Sequence, residues 1–190
     1  MSTTANRPAA SAGGITTQED IVTRPFARKV LAFSRILIGF FFLWPFLDKM
    51  FGLGFSTASE SAVINGGTPA QGYLNFAVED SQPLKQTFID LFANGFGDFL
   101  FMFGLFGIGV AMIAGAGLRI AAVGGSLLML FMYLVSLPWA AESATNPIFD
   151  SHWLEAMLLI IPAVTLAGDT WGLGKWWGNL EFVRKNPWLR

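Results

Sequence analysis

Two uncharged stretches dominate the pattern of apolar and polar positions. Phe99–Leu118 and Ile120–Ala141 contain no Asp, Glu, Lys or Arg, and only Arg119 separates them. A hydrocarbon core about 30 Å thick is crossed by a helix of about 20 mostly apolar residues. Both stretches are long enough, and neither keeps the polar face that a core helix of a soluble domain shows. The pattern predicts a membrane protein.

Two further apolar runs complete the expected architecture, an all-α integral membrane four-helix bundle with spans at about 30–50, 99–114, 118–137 and 153–167. The first is broken only by Arg35 near its start and Asp48-Lys49 at its end. Gly115-Ala116-Gly117 is all that separates the second from the third, which predicts a tight antiparallel hairpin. The fourth is short and carries Glu155 one turn in and Pro162 in its middle. Residues 24–170 thus form one transmembrane domain, with 51–98 as its external segment. Short amphipathic helices are expected there. Ser56 or Thr57 before Glu60 and Thr68-Pro69 are helix starts, and Leu84, Phe88, Leu91 and Phe92 recur at helical spacing before an Asn94-Gly95 stop. An ordinary loop is the alternative.

Lysine and arginine set the orientation. Arg7, Arg24, Arg28, Lys29, Arg119, Lys175, Arg184, Lys185 and Arg190 fall on one side of a four-pass topology, and Lys49 and Lys85 on the other. Basic residues stay cytoplasmic, so both termini are expected inside the plasma membrane. Residues 1–23, rich in Ala, Thr, Ser and Gly with basic residues late, read as a disordered cytoplasmic tail and not a secretory signal. Trp44, Tyr133, Trp139 and Trp153 suit an outer interfacial belt. Trp171, Trp176 and Trp177 suit an inner one, with 171–190 a tail along the cytoplasmic surface.

Composition agrees, at 53% hydrophobic and 13% charged residues against roughly 25% charged in soluble domains. Cysteine is absent and His152 is the lone histidine. This chain therefore has no thiolate site or redox thiol, and cannot hold a haem by two imidazoles. No metal-ligand motif, phosphate-cradling loop or basic groove for nucleic acid is present. Gly107, Ala111 and Gly115, and Ala121 with Gly125, repeat every fourth residue and predict close helix packing.

Charges near hydrocarbon depth carry the candidate chemistry, since each costs several kcal/mol unless it finds water or a partner. Arg35 either snorkels to headgroups or faces the bundle, where Asp169 is its expected partner. At the outer end, Asp48, Lys49, Asp98, His152 and Glu155 reach similar depth from different helices. Lys49, His152 and Glu155 are expected to converge. A histidine beside a carboxylate and a lysine relays protons to a reducible carbonyl. The alternative is a set of ion pairs locking helix ends together. Trp44 and Trp153, with Arg35 and Asp48, are candidates to line a quinone ring.

Several segments together resemble the DoxX/DoxD family of four-helix bacterial membrane proteins. They are Ser34-Arg35-Ile36-Leu37-Ile38-Gly39, Leu47-Asp48-Lys49-Met50-Phe51-Gly52, Ile64-Asn65-Gly66-Gly67-Thr68-Pro69, His152-Trp153-Leu154-Glu155-Ala156 and Ala167-Gly168-Asp169-Thr170-Trp171-Gly172. The resemblance implies a subunit like that of thiosulfate:quinone oxidoreductase, passing electrons from an external sulfur compound to membrane quinone. It equally implies an accessory or scaffold protein of a respiratory or oxidative-stress complex. Membrane quinone is the expected co-substrate, and the bilayer, other subunits or a second copy are the expected partners.

Overall fold

The computed structural model describes residues 15–142 and 144–190. Every regular element in them is helical. In order they are α1 (Gln18–Ile21), α2 (Pro25–Phe51), α3 (Pro69–Gly72), α4 (Lys85–Phe92), α5 (Gly95–Ala114), α6 (Leu118–Val135), α7 (Ser151–Val164), α8 (Gly174–Asn179) and α9 (Glu181–Lys185), joined by turns of 3-10 and π type.

Three helices, α2, α5 and α6, are long and apolar enough to cross a membrane. α7 is equally apolar but has 14 residues, about 21 Å at 1.5 Å per residue. It starts two residues earlier than expected and ends at Val164, before a turn in which Leu166 adopts a left-handed backbone. α2 packs against α5 and α7, and α6 packs against α5 and α7. Ile38, Phe42, Leu105, Ile108, Met112, Met129 and Leu159 form the buried core between them. Their outward faces keep Phe33, Phe40, Phe103, Val123 and Leu154 exposed, as helices solvated by lipid tails require.

Asn94 ends one helix, as expected, and also begins the next. Its side-chain amide donates to the Leu91 carbonyl in the last turn of α4, at 3.0 Å. Its carboxamide oxygen accepts from the backbone N–H of Phe96 and Gly97, both at 3.0 Å, so α5 starts at Gly95 and not at Phe99. The free N–H groups of a first turn make a short polar side chain an effective N-cap. Gly115 and Gly117 both take positive φ, closing the α5–α6 hairpin as expected. Of the predicted close-packing set, Gly125 packs tightly against Leu159 and Gly115 against Gly168 as expected, while Gly107 does not. A side chain at Gly107 would meet nothing, whereas Cβ atoms at Gly39 and Gly109 would sit 2.8 Å from Ile113 and Leu43. The α2–α5 seam therefore rests on Gly39 and Gly109. The four-residue repeat marks which residues are small, not which way they face.

The segment between α2 and α5 folds as two 3-10 turns, then α3, a π turn over Tyr73–Ala77, and α4. α4 lays Phe88, Ile89 and Phe92 against Leu74, Val78 and Val135, and its Leu91 faces outward. Tyr133, near the end of α6, is buried. At the other end, residues 15–23 are not an unstructured tail. Thr17 and Asp20 form a capping box on α1, and Gln18 is fully buried. The remainder of the expected tail, 1–14, lies outside the described residues.

Candidate functional site

α7 begins at an aspartate that does two jobs. Asp150 sits at the N-cap with an extended backbone, and one carboxylate oxygen accepts from the His152 backbone N–H at 3.1 Å. Its other oxygen lies 2.7 Å from His152 Nδ1. An ionised Asp150 places the ring proton on Nδ1 and leaves Nε2 as the open nitrogen. A carboxylate bonded to one imidazole nitrogen fixes the orientation of the ring.

The imidazole stands at the edge of a groove of about 220 Å³ between α6 and α7. Met129, Tyr133, Trp153 and Ile160 are among the residues forming its nearly all-apolar walls. Leu130, Trp153 and Met157 are each more than 40% exposed, so the groove opens at the outer surface of the helices. Tyr133 donates to the Ile148 carbonyl at 2.7 Å. Trp153 packs edge-on against both Tyr133 and Phe149. On the same lining, the Ser126 hydroxyl is buried with no hydrogen-bond partner. A helical serine ordinarily bonds the carbonyl one turn back, so this hydroxyl is left with its donor and acceptor capacity unspent.

The other candidates lie elsewhere. Glu155 was expected beside the ring, but among the described residues no hydrogen bond or ion pair joins it to His152, and Asp150 takes that place. Among the described residues Lys49 Nζ reaches Ser56 Oγ, at 3.4 Å, and lines a separate cleft with Ser56, Glu60 and Tyr73. No hydrogen bond or ion pair among the described residues joins Lys49 to His152 or Glu155, and the groove that His152 lines does not include Lys49. Asp48 is buried and accepts from the backbone N–H of Phe55 and Ser56 and from the Ser56 hydroxyl, at 2.8–3.1 Å. It folds the segment that follows α2 back onto that helix. Trp44 packs edge-on against Phe55, ring centres 5.0 Å apart, in that same region. Asp98 acts like Asp48, accepting from the backbone N–H of Ala70 and Gln71.

Arg35 faces the interior and is completely buried. Its expected partner is replaced: Nη1 donates to the carbonyls of Met112 and Ile113, and Nη2 to that of Trp171 at 2.9 Å. Leu173 N–H donates to the Ala114 carbonyl, and Gly115 N–H to that of Ala111. Every carbonyl in the last turn of α5 thus has a donor, and a cation sits at the negative end of that helix. Gly115 and Gly172 leave the room, since a Cβ on either would lie about 3 Å from the guanidinium. Asp169 instead holds Arg190 through both oxygens, at 2.8 and 3.0 Å, and accepts from Gln18 N–H. Burial pushes the Asp169 carboxyl above its usual range, against the opposing pull of Gln18 and Arg190.

The sequence reading passed over Asp150 and Ser126. Asp150 was legible as an N-cap two residues before the histidine. Ser126 is an ordinary membrane-helix serine until its missing partner is seen. Comparison with protein-family models, curated proteins and solved structures finds no match.

Proposed function

We propose that this chain is a quinone-binding membrane subunit of a redox system, with its ligand seated in the α6–α7 groove. The observation that carries the reading is the Asp150–His152 pair at the edge of a surface-open apolar groove that also holds an unpartnered hydroxyl. A quinone ring is flat, apolar and lipid-soluble, and its two carbonyls need donors. His152 Nε2, once protonated, is the donor nearest the aqueous end and passes its proton to a reduced oxygen. Ser126 offers a second donor deeper along the groove. Reduction to the quinol takes two electrons and two protons. The electrons are assigned to a partner subunit that oxidises an external donor, thiosulfate being the one implied by the DoxX/DoxD resemblance.

In this reading α7 is the fourth membrane helix of a bundle in a bacterial plasma membrane, with both termini cytoplasmic. A second reading, a scaffold for a respiratory or oxidative-stress assembly, is favoured by one observation. Asp48 and Asp98 spend their carboxylates folding the external segment into an ordered cap rather than facing a ligand.

Quinone binding to purified protein in nanodiscs separates the two. Wild type is expected to retain a ubiquinone analogue, and His152→Ala and Ser126→Ala each to bind about tenfold more weakly, the loss of one hydrogen bond near 1.4 kcal/mol. Asp150→Asn should bind nearly normally yet lower donor-dependent quinone reduction in the intact complex. No binding by wild type, or equal binding by all variants, refutes the site.

A further inference from the structure

At the end of the molecule that carries α1 and the C-terminus, a cleft of about 470 Å³ gathers Arg119, Arg184 and Arg190. They come from three separate elements: the first turn of α6, the last turn of α9 and the end of the chain. Apolar walls complete it, from Ile21, Leu166 and Val183. Three acidic residues around it are paired with cations, and Asp20, beside Ile21, is bonded to Thr17. Asp169 holds Arg190, Lys175 pairs with Glu19, and Lys185 pairs with Glu181. Among the described residues no carboxylate reaches Arg119 or Arg184, and residues 1–14 contain no Asp or Glu that could.

We propose that this cleft binds the phosphodiester headgroup of an anionic phospholipid. Guanidinium groups match phosphate oxygens in geometry and charge, and lose less on desolvation than ammonium groups do. Phosphate chemistry alone would fit a soluble ion as well. The position decides for lipid. Arg119 stands where an apolar helix leaves the hydrocarbon, and Trp176, Phe182 and Trp188 are exposed on the neighbouring surface. Such aromatic rings settle at headgroup depth. The apolar wall suits a glycerol backbone and the first acyl carbons, which a free ion lacks. The positive end of α6, where Arg119 sits, adds to the attraction.

Native mass spectrometry of protein released from nanodiscs tests this. Wild type in mixed phosphatidylcholine and phosphatidylglycerol is expected to retain phosphatidylglycerol selectively. Arg119→Gln/Arg184→Gln should bind it about 30-fold more weakly, as two interfacial cations each contribute about fivefold. Arg24→Gln/Lys29→Gln removes the same charge from an exposed stretch of the same end and should change retention little. Equal loss in both pairs would show general surface attraction and overturn the site. So would retention of phosphatidylcholine and phosphatidylglycerol alike. Inorganic phosphate at millimolar concentration is expected not to displace the lipid; displacement would assign the cleft to a soluble anion instead. Should the double variant misfold, selective retention by wild type that survives 0.5 M salt supports the proposal, and its complete loss refutes it.

Discussion

Replacing Arg35 with methionine keeps the length and most of the volume of the stem while deleting every donor. Three carbonyls lose their partner: Met112, Ile113 and Trp171. Orphaning a buried acceptor costs about 1–3 kcal/mol. The Met112 contact is buried and the other two are partly so, which puts the gross loss near 4 kcal/mol on that scale. Against it stands the relief of no longer burying a cation whose Nε has no partner, because buried charges return part of their interaction energy as desolvation. A net destabilisation of about 2–4 kcal/mol remains. On the scale of proteins this size, that lowers Tm by roughly 5–15 °C. Intrinsic fluorescence from seven tryptophans reports the transition in detergent micelles. Arg35→Lys should fall between, since an ammonium can reach some of the carbonyls but cannot fork across two elements. An Arg35→Met protein melting within about 2 °C of wild type would refute the idea that this cation ties the end of α5 to the Trp171 turn.

Two further outcomes follow from the packing and the topology. Gly109→Val puts a branched side chain where even a Cβ lies 2.8 Å from the backbone nitrogen of Leu43, so it should force α2 and α5 apart and lower Tm, whereas Gly107→Val, facing open space, should leave it within a degree or two. On this cysteine-free chain, a Ser81→Cys protein should be labelled by an impermeant maleimide in whole cells; labelling only after the inner face is exposed would overturn the proposed orientation.

The sequence by itself determined the elements. Apolar runs of membrane length located α2, α5 and α6, two glycines located the hairpin, and helical spacing of Phe88 and Phe92 located α4. These are local properties: segment hydropathy, positive φ and 3.6-residue periodicity depend on near neighbours along the chain. The cost of a charge in hydrocarbon marked Arg35 as needing a partner but left open whether it snorkels outward or faces the bundle. Which groups meet was decided only by the tertiary structure. Arg35 is held by the ends of α5 and the Trp171 turn, some 77 and 136 residues away, and not by Asp169. Asp169 is claimed by Gln18 and Arg190 from opposite ends of the sequence. His152 chose Asp150 over Glu155 because a capping carboxylate can bond a backbone N–H and a side chain at once. Gly109, and not Gly107, carries the seam, because the rotation of a helix about its own axis is fixed by its neighbours. Depth in the membrane is written along a chain like this one; azimuth and long-range pairing are set only when the helices pack.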